Sequence, residues 1–276
     1  MVFLLFLLFK VILIIILLSY IMKTMKEKKV KVIKKHKKDK SSLKKNILLY
    51  ILLGVFSVTL LFSVYKIYTI TSAYNQGTNT YQSIKNEAKK SEREIDFDKL
   101  KSINPDVIGW LYSKDTMIDY PVVQGSDNDY YLSHLFDNTQ NSSGSVFMDY
   151  TKNKNFKSKN TILYAHNMKN GSMFAGLMGY KDPEYYNSHK TLELYTPNQN
   201  YEIEVVYGFV IDAYKWDDNK FVLDENVEDL LLHAKSNTTF NSGKTIRDSD
   251  KIITLSTCSY EMEEGRYVLI GKLIKK

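Results

Sequence analysis

Residues 47–64 read ILLYILLGVFSVTLLFSV and carry no charge. About 20 apolar residues in a helix cross a bilayer core, so a stretch of this kind is a candidate transmembrane segment before anything else is considered. A second apolar stretch, MVFLLFLLFKVILIIILLSYIM at residues 1–22, is interrupted by Lys10 alone. Between the two, residues 23–45 hold twelve Lys against Glu27 and Asp39. That excess is larger than the formal net charge of the whole chain, +7, so the remainder is on balance acidic. The basic character therefore belongs to a juxtamembrane run that suits the cytoplasmic lipid surface, and nucleic-acid binding, which needs a basic patch on the folded domain, is not expected.

Topology follows from the lysines. If both apolar segments span, residues 23–46 are cytoplasmic and the chain after about residue 70 is outside. If residues 1–22 are instead a mis-assigned start, with Met22 or Met25 opening the basic run, the later part is still outside. Tyr68 to Tyr74 offers no small-x-small cleavage site for a signal peptide. The expected organisation is a possible first transmembrane segment at 1–22, a basic cytoplasmic segment at 23–46, a transmembrane helix at 47–70, an extracellular stalk or helix at 71–95 and a folded domain at 96–276. Gln76-Gly77-Thr78-Asn79 reads as a loop within the stalk.

Beyond residue 96 the pattern is mainly period two. Strands are expected at 107–112, 117–123, 145–149, 161–166, 252–258 and 266–274, with a hairpin of 191–195 and 201–214 around Pro197 to Asn200. Short helices or turns are expected at 129–136 and 171–180, and a helix at 227–235 with Asn226 as N-cap. Many short strands with few helices predict a mostly β, closed or nearly closed barrel.

The chain has one cysteine, Cys258, so the exported domain has no internal disulfide. The thiol is either a small buried hydrophobe or a nucleophile. Along Ile252 to Cys258, alternation puts Thr254, Ser256 and Cys258 on one face and Ile253, Leu255 and Thr257 on the other. A turn follows, and Arg266 opens the next strand. Antiparallel pairing would bring Cys258 and Arg266 together at one rim. A free thiol with pKa ~8.5 is mostly protonated at neutral pH, and a guanidinium beside it favours the thiolate and stabilises an oxyanion. The alternative for Arg266 is a surface charge paired with Glu263 or Glu264. A cysteine nucleophile usually works with a histidine. His36 lies in the basic run, and His134, His189 and His233 sit in no motif. His166 ends a strand, either as an acid/base or as a hydrogen-bonded structural residue.

The segment TLSTCSYEMEEGRYVLIGKL (254–273) resembles the active-site strand pair of sortases, and ILYAHNMKNGSMF (162–174) resembles their histidine segment. GSVFMDY (144–150), NPDVIGWLY (104–112) and IDYPVVQ (118–124) are similar to class B members. The resemblance implies a closed sortase-type β-barrel of about eight strands, with an N-terminal helix and a helical insert before the cysteine strand. It implies Cys258 as nucleophile, His166 as acid/base and Arg266 as oxyanion or substrate clamp. Ser256 and Tyr164 match peptide-groove positions, with Thr257 counted beside them. Asn128 and Leu132, in DNDYYL, match class B groove positions. Nothing resembles the acidic calcium cluster of class A, and neither a metal nor a cofactor is expected.

The implied enzyme is a membrane-anchored cysteine transpeptidase of a Gram-positive surface. It would cleave an N-P-x-T-x-like C-terminal sorting motif of a secreted protein through a thioester and transfer the acyl group to a peptidoglycan amine. Its partners would be that protein, the cross-bridge amine and membrane lipids. Two alternatives stand against it. An L,D-transpeptidase would carry Arg two residues after the cysteine, where this chain has Tyr260. A non-enzymatic wall- or partner-binding barrel would carry an inert Cys258.

Overall fold

The computed structural model describes residues 40–91, 94–259 and 264–276. The apolar stretch 1–22 and most of the lysine run lie outside these residues. The chain divides into two compact units, Met1–Thr71 and Ser72–Lys276.

Helix α1 spans Lys40–Ala88. From Ile47 onward it is long and apolar enough to cross a membrane, with none of its most apolar window buried. The expected loop at Gln76 to Asn79 is instead helical. The cause is tertiary. A Cβ on Gly77 would lie 2.9 Å from Ser143 Oγ, so glycine here lets the helix dock closely. Asn141 Nδ2 donates to the Ala73 carbonyl at 2.9 Å across the same contact. The packed core accordingly begins upstream of residue 96, since Tyr81, Ile84 and Ala88 belong to it. Lys85 and Lys89 pair with Asp119, which also accepts the Trp110 indole N–H at 2.7 Å.

A small ribbon of β1 (Lys89–Ser91) and β2 (Glu94–Ile95) and helix α2 (Phe97–Ile103) lead into the barrel. Its strands are β3 (Val107–Tyr112), β4 (Asp119–Val123), β5 (Val146–Met148), β6 (Asn160–Tyr164), β7 (Thr191–Tyr195), β8 (Tyr201–Asp212), β9 (Ile252–Ser259) and β10 (Gly265–Lys275). They close in the order β10-β8-β7-β3-β4-β5-β6-β9, an eight-strand barrel as expected. The β4–β5 and β6–β9 pairs are parallel and the others antiparallel.

Two hydrophobic cores meet across the strands that carry the site. Leu163, Ile253, Leu255, Tyr267 and Leu269 belong to the main core. Ile162, Ile252, Val268 and Ile270, of the opposite parity, belong to a second core with Trp216 and Leu230. Trp216 lies on α4 (Ala213–Asp218) and Leu230 on α5 (Val227–Asn237), so the helical insert covers one face of this part of the sheet. Burial on both faces suits the unbroken apolar stretches Ile162-Leu163 of β6, Ile252-Ile253 of β9 and Tyr267 to Ile270 of β10.

Asp212 caps α4, accepting from the Tyr214 and Lys215 amides. Asn226 precedes α5 but makes no side-chain cap. Its Nδ2 donates instead to the Asn219 and Lys220 carbonyls, which closes the insert on itself. The buried Lys152 ammonium ties the insert to the barrel through the Val222 carbonyl and, at 2.7 Å, Asp224.

Candidate active site

Strands β9 and β10 pair in a register that sets Arg266 directly opposite Cys258. Arg266 Nη1 lies 3.4 Å from Cys258 Sγ, within hydrogen-bond reach of sulfur. Both residues share parity with Ile252, Val268 and Ile270, which face the insert. Thiol and guanidinium therefore sit on the barrel's outer wall, at the rim. Both are half-buried.

His166 reaches the same rim by a different route. The parallel β6–β9 register pairs Tyr164 with Ser256, and His166 and Cys258 each stand two residues further along. The ladder is continued by other bonds: Thr257 Oγ1 donates to the Ala165 carbonyl at 2.8 Å, and Asn167 Nδ2 to the Cys258 carbonyl at 2.9 Å. The imidazole is held by its Nε2, 2.7 Å from the Leu132 carbonyl. A carbonyl only accepts, so Nε2 carries the hydrogen and Nδ1 is left to exchange a proton.

The remaining positions that the sequence assigned to a groove form two groups. Tyr164 Oη and Asn128 Nδ2 both donate to Asp149 Oδ2, at 3.2 and 2.9 Å. Asp149 is 1% exposed, and its other oxygen accepts from the Thr151 amide and hydroxyl. Burial, then the Asp149 carboxylate, push the Tyr164 phenol far above its ordinary pKa, with the Arg266 charge acting the other way. Tyr164 is therefore a neutral donor at physiological pH. Leu132 is 39% exposed at the 3-10 turn Tyr130–Leu132, and its carbonyl serves His166. Ser256 is buried beside Tyr164. Thr257 lies on the face that alternation gave it, opposite Cys258. It is 2% exposed and commits its hydroxyl to Ala165, so its side chain joins two strands.

Asp149 and Asn167 were not singled out from sequence. The only signal for each was its place within a motif segment, FMDY and AHNM. Among the described residues the other histidines are engaged elsewhere: His134 stacks on Tyr130, His189 on Tyr185, and His233 packs against Phe209 and Phe221. Burial and Lys215 hold the His233 pKa below its usual value. A cavity of about 650 Å³ lined by residues such as Glu193, Pro197, Asn200 and Lys276 contains none of the rim residues. Among the described residues no group of three or more His, Cys, Asp and Glu is gathered to hold a metal ion.

A thiol paired with guanidinium and flanked by an oriented imidazole is equipped for acyl transfer through a covalent intermediate. Residues 112–274 match the family model of the sortase domain. The chain is 42% identical over 181 residues to sortase B of Listeria monocytogenes, covering 64% of this chain and 73% of that protein. It superposes with a TM-score of 0.65 on the crystal structure of sortase B from Bacillus anthracis in complex with AAEK1, at 32% identity, covering 75% of this chain and all of that one. A Staphylococcus aureus sortase B–substrate complex gives 0.63 at 28% identity, covering 74% and 99%.

Proposed function

The chain belongs to the sortase family, class B, and is thereby a cysteine transpeptidase; on that footing we propose that Cys258, His166 and Arg266 carry the reaction and that the substrate is a C-terminal sorting motif of the N-P-x-T-x kind. The observation that carries the assignment is the Arg266 Nη1 to Cys258 Sγ approach of 3.4 Å on paired strand positions. The Staphylococcus aureus neighbour solved with substrate supports a peptide ligand by analogy.

The Cys258 thiolate attacks the carbonyl of the motif's threonine. Arg266, freed from the sulfur as the new C–S bond forms, donates to the oxyanion. The His166 imidazolium gives its Nδ1 proton to the departing amine, the C–N bond breaks, and a thioester remains with His166 neutral and Nε2–H still on Leu132. An amine of the peptidoglycan cross-bridge then attacks the thioester, Nδ1 takes its proton, and the thiolate is regenerated. No net proton is consumed, as expected for exchange of one amide for another. The neutral Tyr164 phenol and Asn128, gathered on Asp149, form one wall of the groove together with Leu132 and Ser256.

Residues 47–70 act as the membrane anchor, with the lysine run inside and the domain from 71 onward outside. The long apolar helix supports this, as does the charge asymmetry of the sequence. Incubating the protein with a panel of sorting peptides and weighing it by mass spectrometry tests the chemistry. A covalent acyl adduct on Cys258 is expected with a Pro- and Thr-containing motif. Absence of adduct with every peptide, together with a thiol inert to small alkylating reagents, would favour a binding barrel instead.

A further inference from the structure

The imidazole and the main chain of His166 are each held through a series of hydrogen bonds and close contacts, and both series lead to one side chain on α1. The first runs from the imidazole. Leu132, whose carbonyl accepts His166 Nε2–H, sits in a turn braced by Gly144 and Ser145. The Ser145 amide donates to the Tyr131 carbonyl at 2.9 Å, and its hydroxyl to the His134 carbonyl at 2.9 Å. Gly144 has φ +58°, and a Cβ on it would come within 2.6 Å of the Tyr131 carbonyl and 2.8 Å of that of Leu132. Its backbone thus lies directly against the peptide that orients the imidazole. Tyr81 Oη donates to the Gly144 carbonyl at 2.6 Å and lies 3.0 Å from Ser145 Oγ.

The second series runs from the main chain of His166. Its carbonyl accepts the Phe174 amide at 2.9 Å. Met173, the residue before, has φ 57° and ψ −130°, a conformation non-glycine residues rarely adopt and one that surrounding contacts must hold. Its amide donates to Tyr120 Oη at 3.0 Å. The Tyr120 ring packs edge-on against the ring of Tyr81, centroids 5.1 Å apart. Tyr81 is 7% exposed and lies before the stretch matched by the sortase model, 112–274.

We propose that Tyr81 is a positioning residue for His166, its hydroxyl fixing the Leu132 carbonyl and its ring backing the Tyr120–Met173 contact, so that the docked helix sets the angle of the imidazole. The proposal rests on the reading of His166 as the acid/base. Loss of the Tyr81 hydroxyl strands the Gly144 carbonyl and loosens the turn, and the imidazole moves with it. A shift well under the length of a hydrogen bond at a proton-transfer group is enough to slow turnover.

The test uses the full chain in detergent micelles, as Tyr81→Phe and Tyr120→Phe, both of which keep the ring. Readouts are kcat and KM on the best-cleaved sorting peptide, their pH profile, and the ¹⁵N resonances of His166 assigned with His166→Gln. For Tyr81→Phe, kcat should fall on the order of threefold to tenfold, the worth of one hydrogen bond, with KM little changed. The limbs of the pH profile should move and the Nε2 resonance should shift. Tyr120→Phe should move the same resonance by less. A lower melting temperature in both variants, with kcat, pH profile and His166 resonances unchanged well below it, overturns the proposal by reducing Tyr81 to packing. A resonance that moves in a chain whose wild type forms no acyl adduct supports the linkage and overturns the reaction assigned to the site.

Discussion

The rim is built by two limbs of different construction. Cys258 and Arg266 are partners in a regular antiparallel ladder, and their meeting follows from one turn and the register of two adjacent strands. His166 stands past the last ladder pair of its strand and is fixed by a carbonyl more than thirty residues away in sequence, by Phe174 and by the helix that docks beneath both. A ladder carries its geometry within itself. An irregular loop borrows its geometry from whatever packs against it, so its precision depends on contacts of high sequence separation.

The contrast can be broken most severely at the sulfur. Cys258→Ala should leave peptide cleavage and transfer undetectable while the far-UV spectrum and melting temperature stay near wild type; residual activity above a few per cent would move the nucleophile elsewhere. On the ladder limb, Arg266→Lys and Arg266→Ala should each lose on the order of 100-fold or more in kcat. A point charge on a flexible stem cannot replace a planar donor pair. Near-wild-type turnover for the lysine variant would leave Arg266 only an electrostatic part, which a titration of the Cys258 thiol in each variant would register.

Between the limbs, Asp149→Asn should raise KM for the sorting peptide roughly tenfold, as expected for hydrogen bonds to a charged acceptor, while alkylation of Cys258 proceeds at the wild-type rate. The carboxylate holds the Tyr164 phenol pKa up, so its removal should lower that pKa, read from the ultraviolet titration of wild type against variant. An unchanged KM would detach Asp149 from the groove.

The long-range limb has its own smaller test. Gly77→Val adds side-chain atoms where a Cβ alone already lies 2.9 Å from Ser143 Oγ. It should cost about 1–3 kcal/mol of stability, measured by thermal unfolding, whereas Gly54→Ala, with nothing within 4 Å of the new Cβ, should cost almost nothing. The smallest effect is expected from removing residues 1–70, which lie outside the unit Ser72–Lys276. The remainder should be soluble, melt near the full chain's temperature and retain activity. Aggregation of that fragment would put the boundary in the wrong place.

What was legible in advance followed this division. The β9–β10 pair, the β7–β8 hairpin and the strand leading to His166 are short-range patterns, and Cys258, Arg266 and His166 stood at or just past strand ends in segments that resemble sortases. The loop expected within the stalk does not form: Gln76 to Asn79 is a strong local loop signal, yet the segment is helical and docks closely on Asn141 and Ser143. Asn226 stands at the N-cap of α5 as expected, but without a capping bond, its amide being drawn away to Asn219 and Lys220.

By itself the amino-acid sequence determined the apolar helix and the β-barrel class, because each depends on spacing along one or two neighbouring segments, while the resemblance of a few short segments to sortases is what singled out Cys258, His166 and Arg266. Only the tertiary structure decided which imidazole nitrogen is bound, that the acceptor is the main chain of Leu132, and that Asp149 gathers Asn128 and Tyr164. Every residue has the same carbonyl, and a buried acid in a chain of many acids bears no mark of its partners. Such groups acquire a role only when distant segments are brought together, and the cost of leaving a buried polar atom unpaired then decides where each one bonds.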